Sequence, residues 1–454
     1  MDILPHFIAQ SSHQFTSRAG LMVPAKLLDR LGLAETVDRL MPEPGSNRGY
    51  RNGTVFDTFM LMFHEGAQCL EDVRHLHREQ SLMELMGFES LPCAATLGNW
   101  LRRVGRHRPS RDALEEVNRQ LLAVALGDRD HVTLDIDASV VHAKKKTARR
   151  TYKGRRGYTP MAGHIAETGQ AVKTELRKGS VPPAARNVEF FESCIEALPE
   201  GVRVSRFRAD AASYQAGVIN ACRGHGARFA IRAKMDSTVQ DAVAAIPEDA
   251  WQPLLQADGC LSETESVART VHVMGKTPEA FCLVVQRKVA KRPKPKHPDQ
   301  PEQVEIEMQE LYPVDGESAL DGRYIYRAIA TDFDREGWDD HRIVWWYNQR
   351  AEASENRIKE LRIDFAGAHL PCSGFRANAV YLALSSIAYN LLCLMRLSLP
   401  LKWHAKRAGT FRYRLYAMAG QVVRHARQRV LKVRPADLGL LDETLWRIRT
   451  CRLY

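Results

Sequence analysis

His131-Val-Thr-Leu-Asp-Ile-Asp-Ala-Ser-Val-Val141 is the stretch on which the reading of the chain turns. Apolar and β-branched residues alternate there with polar ones, the period-two pattern of a strand. Side chains on a strand point alternately to opposite faces, so Asp135 and Asp137 share one face and Leu134 and Ile136 the other. One carboxylate on an exposed strand face is commonplace. Two, directly before a run of cations, are not. From Ser139 to Tyr158 there are eight basic residues (Lys144, Lys145, Lys146, Arg149, Arg150, Lys153, Arg155 and Arg156) and no acidic one.

Working downstream, Gly163 to Thr168 and Val172 to Leu176 read as two strands joined at the Thr168-Gly169 turn. Asn187 to Leu198 reads as a helix, Val202 to Arg208 as a strand, Tyr214 to Cys222 as a helix and Arg228 to Arg232 as a strand. Strand, hairpin, helix, strand, helix, strand is the order of an RNase H-like core, an α/β fold built on a mixed five-stranded sheet with helices. A β-rich insertion is expected to interrupt it, with strands at Val271 to Met274, Phe281 to Lys288 and Val304 to Leu311 and a Lys/Pro-rich loop at Arg287 to Pro301. Tyr324 to Thr331 returns as a strand, and a long helical region runs from about Trp345.

Upstream, apolar residues recur at helical spacing (Leu27, Leu28, Leu31; Phe56, Phe59, Met60, Phe63; Leu82, Leu85, Met86), separated by turn signals such as Pro42-Glu-Pro-Gly45. Thr96 to Arg103 resembles the second helix of a helix-turn-helix, although Trp100 and Leu101 suit plain core packing. The expected layout is therefore a helical N-terminal DNA-binding domain at 1–128, a catalytic core in two parts at 129–235 and 322–400, the insertion at 236–321, and a basic helical C-terminal segment at 401–454.

Composition narrows the partners. The chain has 454 residues, 44% hydrophobic and 26% charged, as expected of a soluble protein with several folded units. Its net charge is +11, and a second acid-free cluster of nine Lys or Arg lies between Lys402 and Lys432. Two such clusters are the electrostatic footprint of a polyanion, best read as nucleic acid. The nine cysteines are scattered without a Cys-x-x-Cys pair, which favours reduced thiols and argues against a zinc ribbon. Met-Asp-Ile-Leu-Pro-His at the start has no basic n-region or long apolar run, so a cytoplasmic, nucleoid-associated protein is expected. Val380 to Leu397 is broken by Ser385, Ser386 and Asn390, which suits a buried helix better than a membrane span.

Phosphoryl transfer with two metal ions needs carboxylates from separate segments converging on cations about 3.5–4 Å apart. Hard cations of this kind prefer oxygen ligands. Three places fit. The first is Asp135 or Asp137, with Asp-x-Ser at 137–139 favouring Asp137. The second is Asp210, in Arg208-Ala-Asp-Ala-Ala-Ser-Tyr214 at a strand end, where a helix-capping role is the rival reading. The third is Glu355, in Tyr347-Asn-Gln-Arg-Ala-Glu-Ala-Ser-Glu-Asn-Arg-Ile-Lys-Glu-Leu-Arg362, at the edge of an apolar stripe of Ile358, Leu361 and Phe365. There an ordinary surface pair with Lys359 is the rival.

Taken together these segments resemble the DDE transposases of bacterial insertion sequences, in the group whose core is split by a β-strand insertion. That group carries Asp-x-Thr/Ser on the first strand, an Arg-Ala-Asp-like second site, and a Tyr, Arg, Glu, Lys signature. Tyr347, Arg350 and Glu355 match its first three positions, and Arg362 stands where the lysine would be. Four residues rather than three separate Arg350 from Glu355, which leaves Glu352 as a rival. Phe375-x-x-Asn378 and Ala388-Tyr-Asn-Leu-Leu392 resemble the group's downstream helix.

The resemblance implies a set of roles. Asp137, Asp210 and Glu355 would hold two Mg²⁺ ions, with Mn²⁺ able to substitute. Tyr347, Arg350 and Arg362 would contact phosphates, and Lys144, Lys145, Lys146, Arg155 and Arg156 would track the DNA backbone. The partners would be the element's terminal inverted repeats and target DNA, with a homodimer in the synaptic complex and no membrane. Trp338, Trp345 and Trp346 are candidates for stacking on a flipped base, with buried core as the rival. Two other classes compete: a DNA-binding protein that lost catalysis, and a non-transposing metal nuclease of the same fold. A paired-carboxylate glycosidase has no use for this basic surface.

Overall fold

The structure, a computed structural model, describes residues 11–45, 49–256, 258–290, 317–318, 323–426 and 428–450. The chain divides into two compact units, residues 128–358 and residues 1–127 with 359–454.

The unit at 128–358 is built on one large mixed sheet. Its first five strands are β1 (His131–Ala138), β2 (Met161–Ile165), β3 (Ala171–Glu175), β4 (Arg203–Ala209) and β5 (Arg228–Arg232). They lie in the order β3-β2-β1-β4-β5. β2 runs antiparallel to β1 and to β3, whereas β4 runs parallel to β1 and to β5. β1 is central and covered on both faces, so even Thr133 and Asp135 are about 1% exposed. Helix Asn187–Ala197 covers the Leu134 and Phe207 face, where Phe191 meets Phe207 edge to face. That helix comes so close that a Cβ at Gly163 would lie 2.7 Å from the Cys194 sulfur, which is why β2 carries glycine there.

Four further strands continue the same sheet: β6 (Gln252–Leu255), β7 (Leu261–His272), β8 (Phe281–Val289) and β9 (Tyr324–Thr331). β9 pairs with β5, so the β-rich insertion extends the core sheet in the order β5-β9-β8-β7-β6. Glu317–Ser318 adds a short pairing on β9. β7 is three times the length expected from Val271 to Met274, because its Ser-Glu-Thr-Glu-Ser start lies on a largely exposed stretch that carries no apolar signal. The strand expected at Val304 to Leu311 lies outside the described residues. Helix Asp340–Lys359 covers the other face of the sheet. Its start packs Ile343, Val344 and Tyr347 on Ala230, Val284 and Ile329.

The second unit is mainly helical. Helix Phe375–Ser398 is long and apolar enough to cross a membrane by length and composition, yet most of it is buried. It packs on helices Asn52–Glu65, Ala94–Arg106 and Arg108–Leu126. The expected continuation of the core to residue 400 is thus replaced by a helix that folds with the N-terminal helices. Trp100, in the stretch resembling a helix-turn-helix, is buried and donates its indole N–H to Asn52 Oδ1 at 2.9 Å. Asn99, Arg102 and Arg103 lie on the exposed side of the same helix. The C-terminal segment, expected to be helical, carries a hairpin as well. Gly420–His425 pairs with Gln428–Val433 and, on its other edge, with Gln14–Thr16. β-Branched Val422, Val423, Val430 and Val433 explain the strands, and helix Pro435–Thr450 follows. Several cations of this segment are engaged within the unit: Arg407 pairs with Asp364, Arg429 with Glu84, and Arg412 binds the carbonyls of Phe63 and His64.

Candidate active site

Parallel pairing brings the first two carboxylates together. Ile136 of β1 is in register with Ala209 of β4, so Asp137 and Asp210 are the next residues on neighbouring strands. Both therefore stand at the C-terminal end of the sheet. Asp210 also caps the short turn Ala211–Ser213, one oxygen accepting the Ala212 N–H at 3.1 Å. The capping and functional readings of Asp210 are thus compatible, since a carboxylate has two oxygens.

Asp135 and Asp137 share a face but have different surroundings. Asp135 is in register with Arg208, and the two form a bidentate pair at 2.7 and 2.8 Å. A second guanidinium, that of Arg357, lies 3.7 Å away. Arg208 also donates to the Trp346 carbonyl at 2.6 Å and stacks over the Trp346 ring, 4.6 Å from its centroid. Asp135 is therefore neutralised and sealed. Among the described residues the cation paired with Asp137 is Arg350, at 3.7 Å, and the Asp137 side chain is 27% exposed. Burial pushes its carboxyl up to about 6, Arg350 opposes this, and Asp210 adds to it. Of the two candidates, Asp137 is the one placed beside Asp210 with coordination capacity open.

Helix Asp340–Lys359 is fastened to the carboxylate end through backbone carbonyls. The Tyr347 hydroxyl donates to the Ala209 carbonyl at 2.9 Å, and Arg350 Nη2 donates to the Ile136 carbonyl at 2.8 Å. Further from the carboxylates, Arg357 donates at 2.6 Å to the carbonyl of Ala166, which lies beside Thr133. Burial works against the Arg350 charge, but Tyr347, Asp137, Asp210 and Asp135 together hold its pKa above the ordinary arginine value. Tyr347 and Arg350, of which phosphate contacts are expected, are placed in the interior by these bonds. Both side chains are 6% exposed and hold the residues that precede Asp137 and Asp210. Across from Asp135 on β2, burial and then Arg357 lower His164 to about 3, so it is neutral at physiological pH.

Glu355 is not brought to the two aspartates. On an α-helix, Ser354 lies about 40° round from Arg350 and Glu355 about 140°. Accordingly Ser354 is buried and Glu355 is exposed. The side chain of the rival Glu352 lies outside the described ones. Among the described residues no group of three or more His, Cys, Asp or Glu is arranged to hold a metal ion. Asp137 and Asp210 do fit a divalent cation, being paired oxygen donors whose mutual repulsion a cation would relieve. The third ligand is not assembled with them.

Of the remaining expected contacts, Arg362 is half-buried in a π-helical turn, Glu360–Asp364, of the helical unit, where burial lowers its pKa. Lys144, Lys146, Arg155 and Arg156 are exposed and Lys145 is half-buried, all on an arm that grows out of β1 and β2. Trp338 and Trp346 pack on Phe333 in the core, whereas Trp345 is 53% exposed. Sequence reasoning missed Arg208 and Arg357. Only the Arg-Ala-Asp spelling hinted at the first, and nothing hinted at the second.

A carboxylate pair at the end of neighbouring parallel strands, under a helix carrying Tyr-x-x-Arg, is the arrangement expected from the resemblance to transposases. More narrowly, the chain belongs to the DDE transposases: the family model "Transposase DDE domain group 1" matches residues 8–437. No curated protein matches it in sequence. Among solved structures, the piggyBac transposase synaptic complex with hairpin DNA matches 89% of this chain and 82% of its own, at 12% identity and a TM-score of 0.44.

Proposed function

We propose that this transposase binds the terminal inverted repeats of its element, hydrolyses strands at the ends and joins the 3′-hydroxyl ends to target DNA. The strand order β3-β2-β1-β4-β5, with β2 antiparallel, supports reading the core as RNase H-like. The observation that carries the catalytic reading is the juxtaposition of Asp137 and Asp210 on neighbouring parallel strands, one of them short of neutralising partners.

Asp137 and Asp210 would hold divalent metal, Mg²⁺ or Mn²⁺, in a two-ion site, with Glu355 as third ligand. Bound metal supplies Lewis-acid polarisation of the scissile phosphate and charge stabilisation of the leaving oxygen. The protein's part is placement. Arg350 holds the Ile136 carbonyl and stands beside Asp137, so it fixes the end of β1. Tyr347 does the same for the end of β4 through Ala209. The Asp135–Arg208 pair locks the two strands to each other and to the covering helix. Exposed cations of the 139–160 arm attract the DNA backbone without reading sequence. Synapsis of two ends calls for at least a homodimer on DNA, and the site of action is the nucleoid in the cytoplasm.

One observation favours a second reading, a DNA-binding protein without catalysis: Glu355 is exposed. Cleavage of labelled DNA carrying the element's own ends, with Mg²⁺ or Mn²⁺, separates the two. Wild type should nick at the ends, and Asp137→Ala, Asp210→Ala and Glu355→Ala should each abolish cutting while DNA binding persists. If Glu355→Ala cuts like wild type, the third ligand lies elsewhere and Glu352→Ala is the next variant. Wild type that binds tightly and never cuts would establish the second reading.

A further inference from the structure

The loop between β1 and β2 is a built structure. Val141–His142 pairs with Arg156–Tyr158, which pairs on its other side with Arg149–Arg150, giving a three-stranded arm. The arm continues the β1–β2 hairpin without a break, since Asp137 faces Ala162, Ala138 faces Met161, and the Ser139 N–H meets the Pro160 carbonyl. Its interior is ordered. Tyr158 is fully buried, and its hydroxyl lies 2.6 Å from the Thr147 hydroxyl. A Cβ at Gly179 would fall 2.3 Å from the Arg149 carbonyl oxygen, so the segment after β3 braces the arm at backbone distance.

The apex is fixed too. Thr151 donates both its N–H and its hydroxyl to the Arg155 carbonyl, each at 2.8 Å. Gly154, at φ +78°, donates to the Thr151 carbonyl, a turn that favours glycine. This rigid turn displays Tyr152, whose ring is 57% exposed with the Lys153 ammonium 5.8 Å from its centroid. Arg150, Lys153 and Arg155 around it are exposed, and among the described residues none has a carboxylate partner. A buried arm would need no cations, and an arm that only tracked phosphates would need no exposed aromatic ring. Cations flanking a displayed ring are the pattern that binds unpaired bases, the ring stacking on a base while the cations hold the backbone.

We propose that Tyr152 stacks on an unpaired base of DNA held at the aspartates, so that the arm senses or keeps open a stretch of that DNA several base pairs from the cleavage point. Six residues separate Ala162, opposite Asp137, from Arg156 at the foot of the apex. At strand rise this is about 20 Å at most, or roughly six base pairs along a duplex. The proposal rests on the transposase reading above and adds to it a base-contacting residue and the state of the base it contacts.

The test is binding by the full chain in EDTA, which separates binding from cutting. The probes are a fluorescent duplex and the same duplex with a few unpaired bases at one end, 2-aminopurine among them. Wild type should prefer the frayed duplex by about tenfold and quench 2-aminopurine. Tyr152→Ala should lose both effects and bind the paired duplex as wild type does, while Tyr152→Phe should keep both. Stacking is overturned if Tyr152→Ala retains preference and quenching, or if Tyr152→Phe loses them. Equal wild-type binding to both probes without quenching makes the arm a backbone contact only. Failure of wild type to bind either probe would instead sink the DNA reading on which the proposal rests.

Discussion

Two carboxylates, one in each unit, are handled in opposite ways: Asp135, which is buried, and Asp57, which is half-buried with one oxygen sealed from solvent. In the sheet unit, Asp135 is gripped by Arg208 in a bidentate pair, with Arg357 behind it. In the helical unit, Asp57 on helix Asn52–Glu65 has one oxygen buried without a hydrogen-bond partner. Among the described residues no arginine is paired with it. Burial, followed by Glu35, Asp38 and Asp29, pushes its carboxyl up to about 7. The first carboxylate is matched by guanidinium partners, and the second is pushed towards its protonated form. Asp137 lies between these extremes, with one guanidinium at a distance and another carboxylate beside it. Burial of a carboxylate therefore says little by itself; the charges around it decide whether it is a fastening, a strained group or a ligand.

The largest effect should come from breaking the fastening. Arg208→Ala leaves Asp135 buried with only the more distant Arg357, and such uncompensated burial costs about 3–5 kcal/mol. Denaturant titration measures it. Replacing both partners, Asp135→Leu with Arg208→Met, should cost clearly less than Arg208→Ala, because the uncompensated charge is then gone. If the double variant is the less stable of the two, the pair is more than a neutralised contact, and the contrast with Asp57 loses its basis.

Asp57 should respond with the opposite sign. Its folded pKa, near 7, lies above the ordinary carboxylate value of 3.8. The folded state therefore holds a proton that the unfolded state has released between about pH 4 and pH 7, and stability falls as pH rises through that window. Above pH 7 the penalty is complete. Asp57→Asn imitates the protonated form at every pH, so it should stabilise the protein. The gain should grow by about 3 kcal/mol from pH 5 to pH 8. A gain independent of pH, or a loss at pH 8, would mean that Asp57 has a cation partner in solution.

Much of the sheet was legible because strands announce themselves by period. Arg228–Arg232 and Tyr324–Thr331 have the bounds read from the sequence, and β1 and β4 are off by a residue or a few at their ends. Asp137 and Asp210 were legible as strand-end carboxylates for the same reason. The partners of Asp135 were not, since Arg208 and Arg357 come from 73 and 222 residues away along the chain and only the parallel register and the covering helix bring them in. The face of helix Asp340–Lys359 was half legible. The apolar stripe Ile358, Leu361, Phe365 is buried as expected, but on the preceding turns the buried positions are Tyr347, Arg350 and Ser354, two of them polar enough to read as surface. A polar residue fastened to a backbone carbonyl has no signature in a sequence. The hairpin at 420–433 was hidden by its cations, which outweigh its valines.

Tyr347 tests that blind spot with the smallest effect of the three. A tyrosine in this signature suggests phosphate contact, whereas its hydroxyl here donates to the Ala209 carbonyl in the interior. Tyr347→Phe keeps the ring among Ala230, Val284 and Ile329 and removes only that donor. The expected loss is about 1 kcal/mol of stability, the usual net worth of one hydrogen bond plus an unsatisfied carbonyl at the lower end of its range. DNA affinity and its salt slope should not change, because no phosphate contact is removed. Cutting should slow, because Ala209 directly precedes Asp210 and a loosened strand end misplaces that carboxylate. A salt slope that becomes shallower in Tyr347→Phe, with stability unchanged, would return the hydroxyl to the DNA. The signature tyrosine would then be a surface residue in solution, and Arg350 on the Ile136 carbonyl, with the Asp135–Arg208 pair, would be left to fasten the covering helix at this end of the sheet.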